Sequence, residues 1–102
     1  MTHPALQLDD TVHQRVRLGI LAVLTETKQA DFAFVRDALD LTDGNLSRHI
    51  AVLEDAGLVT VDKRIEGRRT RTWVSATKAG RRALAEEIKA LSALIARVNG
   101  SP

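Results

Sequence analysis

The spacing of the apolar residues changes twice along this chain, and that change limits the possible folds more than any other feature. From Val12 to Leu53 apolar side chains recur at steps of three and four. Leu58-Val59-Thr60-Val61 and Arg69-Thr70-Arg71-Thr72-Trp73-Val74 are instead alternating and rich in β-branched residues. From Leu84 to Val98 the steps of four and three return. Steps of three and four place side chains on one face of a helix, whereas alternation places them on one face of a strand. The only prolines are Pro4 and Pro102, so none breaks regular structure between them. The expected order is helix, helix, helix, hairpin, helix: a mainly α chain with a small β-hairpin (α+β).

The first helix is expected from about Asp10 to Glu26, with Val12, Val16, Ile20, Val23 and Leu24 on its inner stripe and Leu21 widening it. Asp9, Asp10 or Thr11 can cap its start. Asp31 reads as the cap of a shorter second helix with Phe32, Val35 and Leu39 on one face. Asp40-Leu41-Thr42 is a tight connector, and Thr42 caps a third helix with Asp43 beside its positive end. Leu46, Ile50 and Leu53 face inward there, and Gly57 stops the helix. Glu66-Gly67-Arg68 is a hairpin loop, and Thr77 caps a last helix over about 77–98. Along that helix Leu84, Ile88, Leu91, Ile95 and Val98 form a heptad seam. Two short helices joined by a tight turn and followed by a basic hairpin make a winged helix-turn-helix.

A length of 102 residues suits one domain, 1–102, with a modest core. Cysteine is absent, which removes disulfides, thiolate zinc sites and thiol nucleophiles together. No apolar run approaches the ~18 residues of a membrane span, and Met1 to Asp10 lack the features of a signal segment. A soluble, cytoplasmic protein is expected. The net charge of +2 conceals an asymmetry: residues 1–57 hold five Lys/Arg against nine Asp/Glu, and residues 58–82 hold eight against two. Positive charge concentrated in one short stretch is the footprint of a polyanion-binding element.

The run Leu41-Thr42-Asp43-Gly44-Asn45-Leu46-Ser47-Arg48-His49-Ile50, followed by Leu53-Glu54-Asp55-Ala56-Gly57-Leu58-Val59, resembles the helix-turn-helix of compact MarR-like winged-helix DNA-binding proteins. Glu66 to Trp73 resembles their wing, and Thr77-Lys78-Ala79-Gly80-Arg81 the start of their last helix. The resemblance covers about residues 12–90. It implies a bacterial or archaeal transcriptional regulator that binds double-stranded DNA as a homodimer.

Within that frame the third helix, about 43–56, is the candidate reader. With its apolar face buried, Gly44, Asn45, Ser47, Arg48 and His49 lie on exposed or flanking sides of its first turns. Arg48 can take guanine O6 and N7 in bidentate fashion, and Asn45 can do the same for adenine. Thr42, Ser47 and the free amides suit phosphate oxygens, and Gly44 lets the backbone approach. The plain alternative is that Arg48 pairs with Asp55 or another surface carboxylate. Asp43 would repel phosphate, so it reads as a helix-start residue. The wing, about 63–71, carries Lys63, Arg64, Arg68, Arg69 and Arg71 against Glu66. Such a tip can follow the backbone or insert an arginine into a narrow minor groove. One or two charges would suffice to protect a strand edge, and five point to DNA. Trp73 reads as packing rather than base stacking.

Other chemistries find little support. Asp9, Asp10 and His13 share helical spacing, with His3 nearby, but structural zinc needs four well-placed ligands. Ser47 and His49 are two apart on a helix and diverge, so they make no nucleophile–base pair. The carboxylate pairs Asp9-Asp10, Glu54-Asp55 and Glu86-Glu87 sit in polar stretches, and there is no phosphate-cradling glycine loop. No catalytic site, metal or cofactor is expected. Leu84, Ile88, Leu91, Ile95 and Val98 are the expected dimerisation residues, because so small a core can shelter only part of them. The competing function is a winged helix whose basic hairpin docks on an acidic protein.

Overall fold

Each of the four α-helices begins where a side chain accepts an orphan amide. A computed structural model describes residues 3–100. A short 3-10 helix, Pro4–Gln7, is followed by α1 (Arg15–Glu26), β1 (Ala30–Asp31), α2 (Phe32–Ala38), α3 (Asp43–Asp55), β2 (Val59–Glu66), β3 (Arg69–Ala76) and α4 (Lys78–Val98). Asp31 Oδ1 accepts from the Phe34 N–H at 2.7 Å, Thr42 Oγ1 from Asn45 at 3.1 Å and Thr77 Oγ1 from Gly80 at 2.9 Å. These are the caps the sequence predicts for α2, α3 and α4.

The start of α1 differs from expectation. The helix begins at Arg15, and Gln14 caps it by accepting the Arg17 N–H through Oε1 at 2.9 Å. Asp9 instead closes a turn: its carboxylate accepts from the Thr11 N–H at 2.8 Å, and its carbonyl from the N–H groups of Val12 and His13 at 3.0 and 2.5 Å. With its acceptors engaged there, the chain cannot run on as helix until Gln14 supplies a new cap. Val12 is still fully buried, so its place in the core was legible while its conformation was not.

The hairpin belongs to a three-stranded antiparallel sheet of order β1-β3-β2. β2 and β3 pair from Val59↔Ala76 to Glu66↔Arg69, leaving Gly67 and Arg68 as the turn, with Gly67 at φ 68°. β1 is the unexpected member. Its two residues pair Ala30↔Val74 and Asp31↔Trp73, and two residues are too few to carry a period.

Ile20, Leu21 and Leu24 of α1, Val35 of α2, Leu46, Ile50 and Leu53 of α3, Val74 of β3 and Leu84 of α4 make one core. The root of the hairpin is pinned to α4: the Thr77 N–H donates to the Leu58 carbonyl at 3.0 Å and Thr77 Oγ1 to that of Gly57 at 2.7 Å. Gly80 packs on the same Leu58 carbonyl, and a Cβ there would collide with it. Only glycine fits this approach.

α4 divides the expected seam between two surroundings. Leu84 is buried in its own core and Leu91 is half-buried, whereas Ile88, Ile95 and Val98 are 51%, 58% and 78% exposed. The inner side of α4 carries Ala90 and, unexpectedly, the fully buried Glu87. Its Oε1 accepts the Asp9 N–H at 2.9 Å. His13 Nδ1 lies 2.9 Å from Oε2, a close contact without hydrogen-bond alignment. His13 thus faces a single carboxylate rather than grouping with Asp9 and Asp10. Among the described residues no helix is long and apolar enough to cross a membrane.

Candidate nucleic-acid interface

Leu46, Ile50 and Leu53 hold α3 against the core, which turns its opposite side outward. Thr42, Gly44, Asn45, Ser47 and Arg48 are exposed there, as expected. Nothing lies within 4 Å of where a Gly44 Cβ would stand, so the first turn is open to close approach. Arg48 Nη2 donates to Asn45 Oδ1 at 3.1 Å. The alternative partner for Arg48, Asp55, is not the one it uses. The two side chains suited to base edges are thus joined to each other on one turn of helix.

Asp43 is less awkward than its sequence position suggests. Arg36 of α2 donates to Asp43 Oδ1 at 2.9 Å and to Asp37 Oδ1 at 2.9 Å, and the bond to Asp37, then that to Asp43, keep the guanidinium firmly charged. A paired Asp43 can support the helix start while projecting less negative charge toward a polyanion. His49 is placed differently from its neighbours. It is half-buried, and Arg17 of α1 donates to its Nδ1 from Nη1 at 3.2 Å. Burial, then Arg17 and Arg48, hold the imidazole below its usual pKa.

The β2–β3 register sorts the wing into two faces. Val61, Lys63 and Ile65 lie on the face of Val74 and Thr72, toward α3; Asp62, Arg64, Glu66, Arg69, Arg71 and Trp73 lie on the other. Lys63 shares an open cleft of about 300 Å³ with Ser47 and Glu54 of α3. Reader and wing therefore border one concavity.

The five wing cations are not equivalent. Arg64 donates to Asp62 Oδ2 at 2.8 Å and to Gln29 Oε1 at 2.9 Å. Arg71 lies 3.4 Å from Glu66 and 3.7 Å from Asp31. Both guanidiniums sit over the Trp73 ring, 5.4 and 5.6 Å from its centroid. Trp73 is half-buried on the face turned away from the core, with both cations near its ring. Lys63, Arg68 and Arg69 are exposed, and among the described residues they have no ion pair within 4.0 Å. The contacts of Arg17 with His49, of Gln29 with Arg64, of Asp31 with Arg71 and of Arg36 with Asp43 had no signal in the sequence, because each is made only through the fold.

Comparison with known proteins agrees with this geometry. Residues 16–95 match the family described as winged helix DNA-binding domain. A solved structure of a transcriptional regulator homologue from Pyrococcus horikoshii is 39% identical, with a TM-score of 0.81, over 86% of this chain and 87% of that one. An uncharacterized protein of Methanocaldococcus jannaschii is 38% identical over 66 residues, 65% of this chain and 72% of that protein. The M. tuberculosis transcriptional regulator MOSR, solved in complex with DNA, shares the fold at 21% identity and a TM-score of 0.70, over 90% of this chain and 65% of that one. The chain belongs to the winged helix DNA-binding domain family and has the fold of MarR-like transcriptional regulators.

Proposed function

We propose that the protein is a cytoplasmic, homodimeric, sequence-specific regulator of transcription, with α3 in the major groove of duplex DNA and the wing on the backbone or minor groove. The observation that carries this reading is the concavity between α3 and the wing, bordered by Ser47 on one side and Lys63 on the other, with Asn45 and Arg48 exposed on the same helix and Arg68 and Arg69 exposed on the same hairpin. Arg48 and Asn45 are the base readers; Thr42, Gly44 and Ser47 meet phosphate or let the backbone approach it. Arg68 and Arg69 are the principal wing contacts. Lys63 approaches from the cleft side, and Arg64 and Arg71 chiefly hold the hairpin.

The dimer rests on α4. Ile88, Ile95 and Val98 form an exposed apolar stripe that a second copy would cover, placing two reading helices about one DNA turn, roughly 34 Å, apart. Selection of bound duplexes from a random library tests the whole reading. A recovered palindrome with that half-site spacing is expected. Recovery of no sequence, with no retention on random duplex at low salt, would overturn it in favour of a protein-docking wing. Light scattering at micromolar concentration checks the dimer separately: a persistent monomer, or wild-type association by Ile88→Asp/Leu91→Asp, excludes it.

A further inference from the structure

We propose that Arg17 is a positioning residue for the recognition helix, holding His49 of α3 to an N-terminal strap, residues 9–13, that is moored on Glu87 of α4. The proposal rests on the reading of α3 as the element that meets DNA. One guanidinium uses all three nitrogens. Nε donates to the Thr11 carbonyl at 2.6 Å, Nη2 to the Asp10 carbonyl at 3.3 Å and Nη1 to His49 Nδ1 at 3.2 Å. The strap continues through the Asp9 N–H to the buried carboxylate of Glu87, beside His13. A continuous polar path thus joins the helix that carries the proposed dimer stripe to the residue next to Arg48.

The path does not hold α3 in place by itself. Leu46, Ile50 and Leu53 do that from the core. Arg17 instead acts on the side of the helix adjoining the reading face, where a small rotation about the helix axis would misaim Arg48 and Asn45. A base contact in bidentate geometry is sensitive to such a rotation, while a phosphate contact is tolerant.

The His49 contact also has a direction in pH. Arg17 cannot give up its proton, so Nδ1 must be unprotonated to accept from it. The charges facing His49 are Arg17 from α1 and Arg48 from its own helix, both positive. Protonation therefore turns an attraction into a repulsion. Since the folded-state pKa is lowered, His49 carries no penalty above its ordinary value, and stability is lost as the pH falls below about 6.5.

The test compares wild type, Arg17→Ala, Arg17→Lys, His49→Asn and His49→Leu. Each is titrated with a duplex selected by the wild type and with a random-sequence duplex, at about pH 7.5 and pH 5.5. Amide-exchange protection of 46–50 in the free protein is measured alongside. The wild-type preference for the selected duplex should fall about 3- to 10-fold on acidification. His49→Asn puts an unprotonatable acceptor close to the position of Nδ1 and should hold that preference within about twofold. Arg17→Ala and His49→Leu should lack it at both pH values and show faster exchange at 46–50, with partial recovery in Arg17→Lys. Wild-type preference and protection in Arg17→Ala would overturn the proposal. So would a wild type that grips both duplexes more tightly in acid at unchanged preference, because His49 would then face phosphate. If Arg17→Ala does not fold, the His49 pair decides. If no duplex is bound at all, the reading of α3 fails, and exchange at 46–50 judges the positioning contact alone.

Discussion

Helix α3 and the wing carry polar and basic side chains on opposite kinds of support. α3 is fixed by three buried side chains, so its outward residues sit at defined azimuths and heights. The wing from Asp62 to Arg71 has no buried residue; Ile65, its one large apolar side chain, is 83% exposed. Its shape comes from the strand ladder and from Arg64 and Arg71 over the Trp73 ring. Hydrophobic anchoring gives the positional precision that base edges demand. A hairpin without a core can flex to follow a charged backbone, where precision matters less. On the proposed function, the fold would separate reading from gripping by where it puts its apolar area.

The most severe way to break the comparison is to remove an anchor. Leu53→Ala should cost about 2–5 kcal/mol in denaturant unfolding, because a fully buried leucine leaves a cavity. A cost of a few tenths of a kcal/mol would mean that α3 is not anchored as described. Next comes the reader itself. Arg48→Ala should cost about 1–3 kcal/mol per half-site and relax preference at one base position, leaving the fold intact. An unchanged selected motif would reduce Arg48 to a surface charge.

The wing is tested by salt. In a dimer, Arg68→Ala/Arg69→Ala removes up to four phosphate contacts, so the slope of log K against log salt should become shallower by at most about 3–4 units. The preferred sequence should change little, unless one arginine reads a narrow A·T-rich groove, in which case flanking A·T preference also goes. Arg64→Ala/Arg71→Ala sharpens the point: these cations are already paired with Asp62, Glu66 and Asp31, so their slope change should be smaller. Equal slopes would show that the tethers release on binding. The smallest effect belongs to Ile65→Thr, which should alter unfolding free energy by no more than about 0.5 kcal/mol. A larger loss would reveal packing that the exposed hairpin does not display.

What could be read beforehand follows from the range of each interaction. Caps at Asp31, Thr42 and Thr77 are decided within three residues, and the sequence carries them openly. The inward faces of α2 and α3 follow from apolar spacing alone. The late start of α1 is not legible in the sequence, because Val12 has the right spacing for a helix but reaches the core from a turn. Nor is β1, because strand pairing, not period, defines two residues. At the site, the outward residues of α3 were legible, since they are what remains once the buried face is known. The division of the wing arginines into tethered and free was not. It depends on Gln29 and Asp31, which lie more than thirty residues away in the chain. The buried Glu87 was hidden for a similar reason: beside Glu86 it looks like one of two solvated carboxylates, and only the arrival of Asp9 and His13 distinguishes it.

The junction at Gly80 has a mechanical consequence. The root of the wing, the end of α3 and the start of α4 meet there backbone against backbone, with no side chain between them to act as a cushion. α4 then extends for 21 residues, a lever of about 30 Å. A root joined in this way would couple rotation of α4 to rotation of the hairpin. If two levers lie across one another through Ile88, Ile95 and Val98, their crossing angle dictates the separation of the two wings. A tilt of a few degrees becomes a shift of a few ångströms over such an arm. A bulky residue at position 80 would push the Leu58 carbonyl away and loosen that joint.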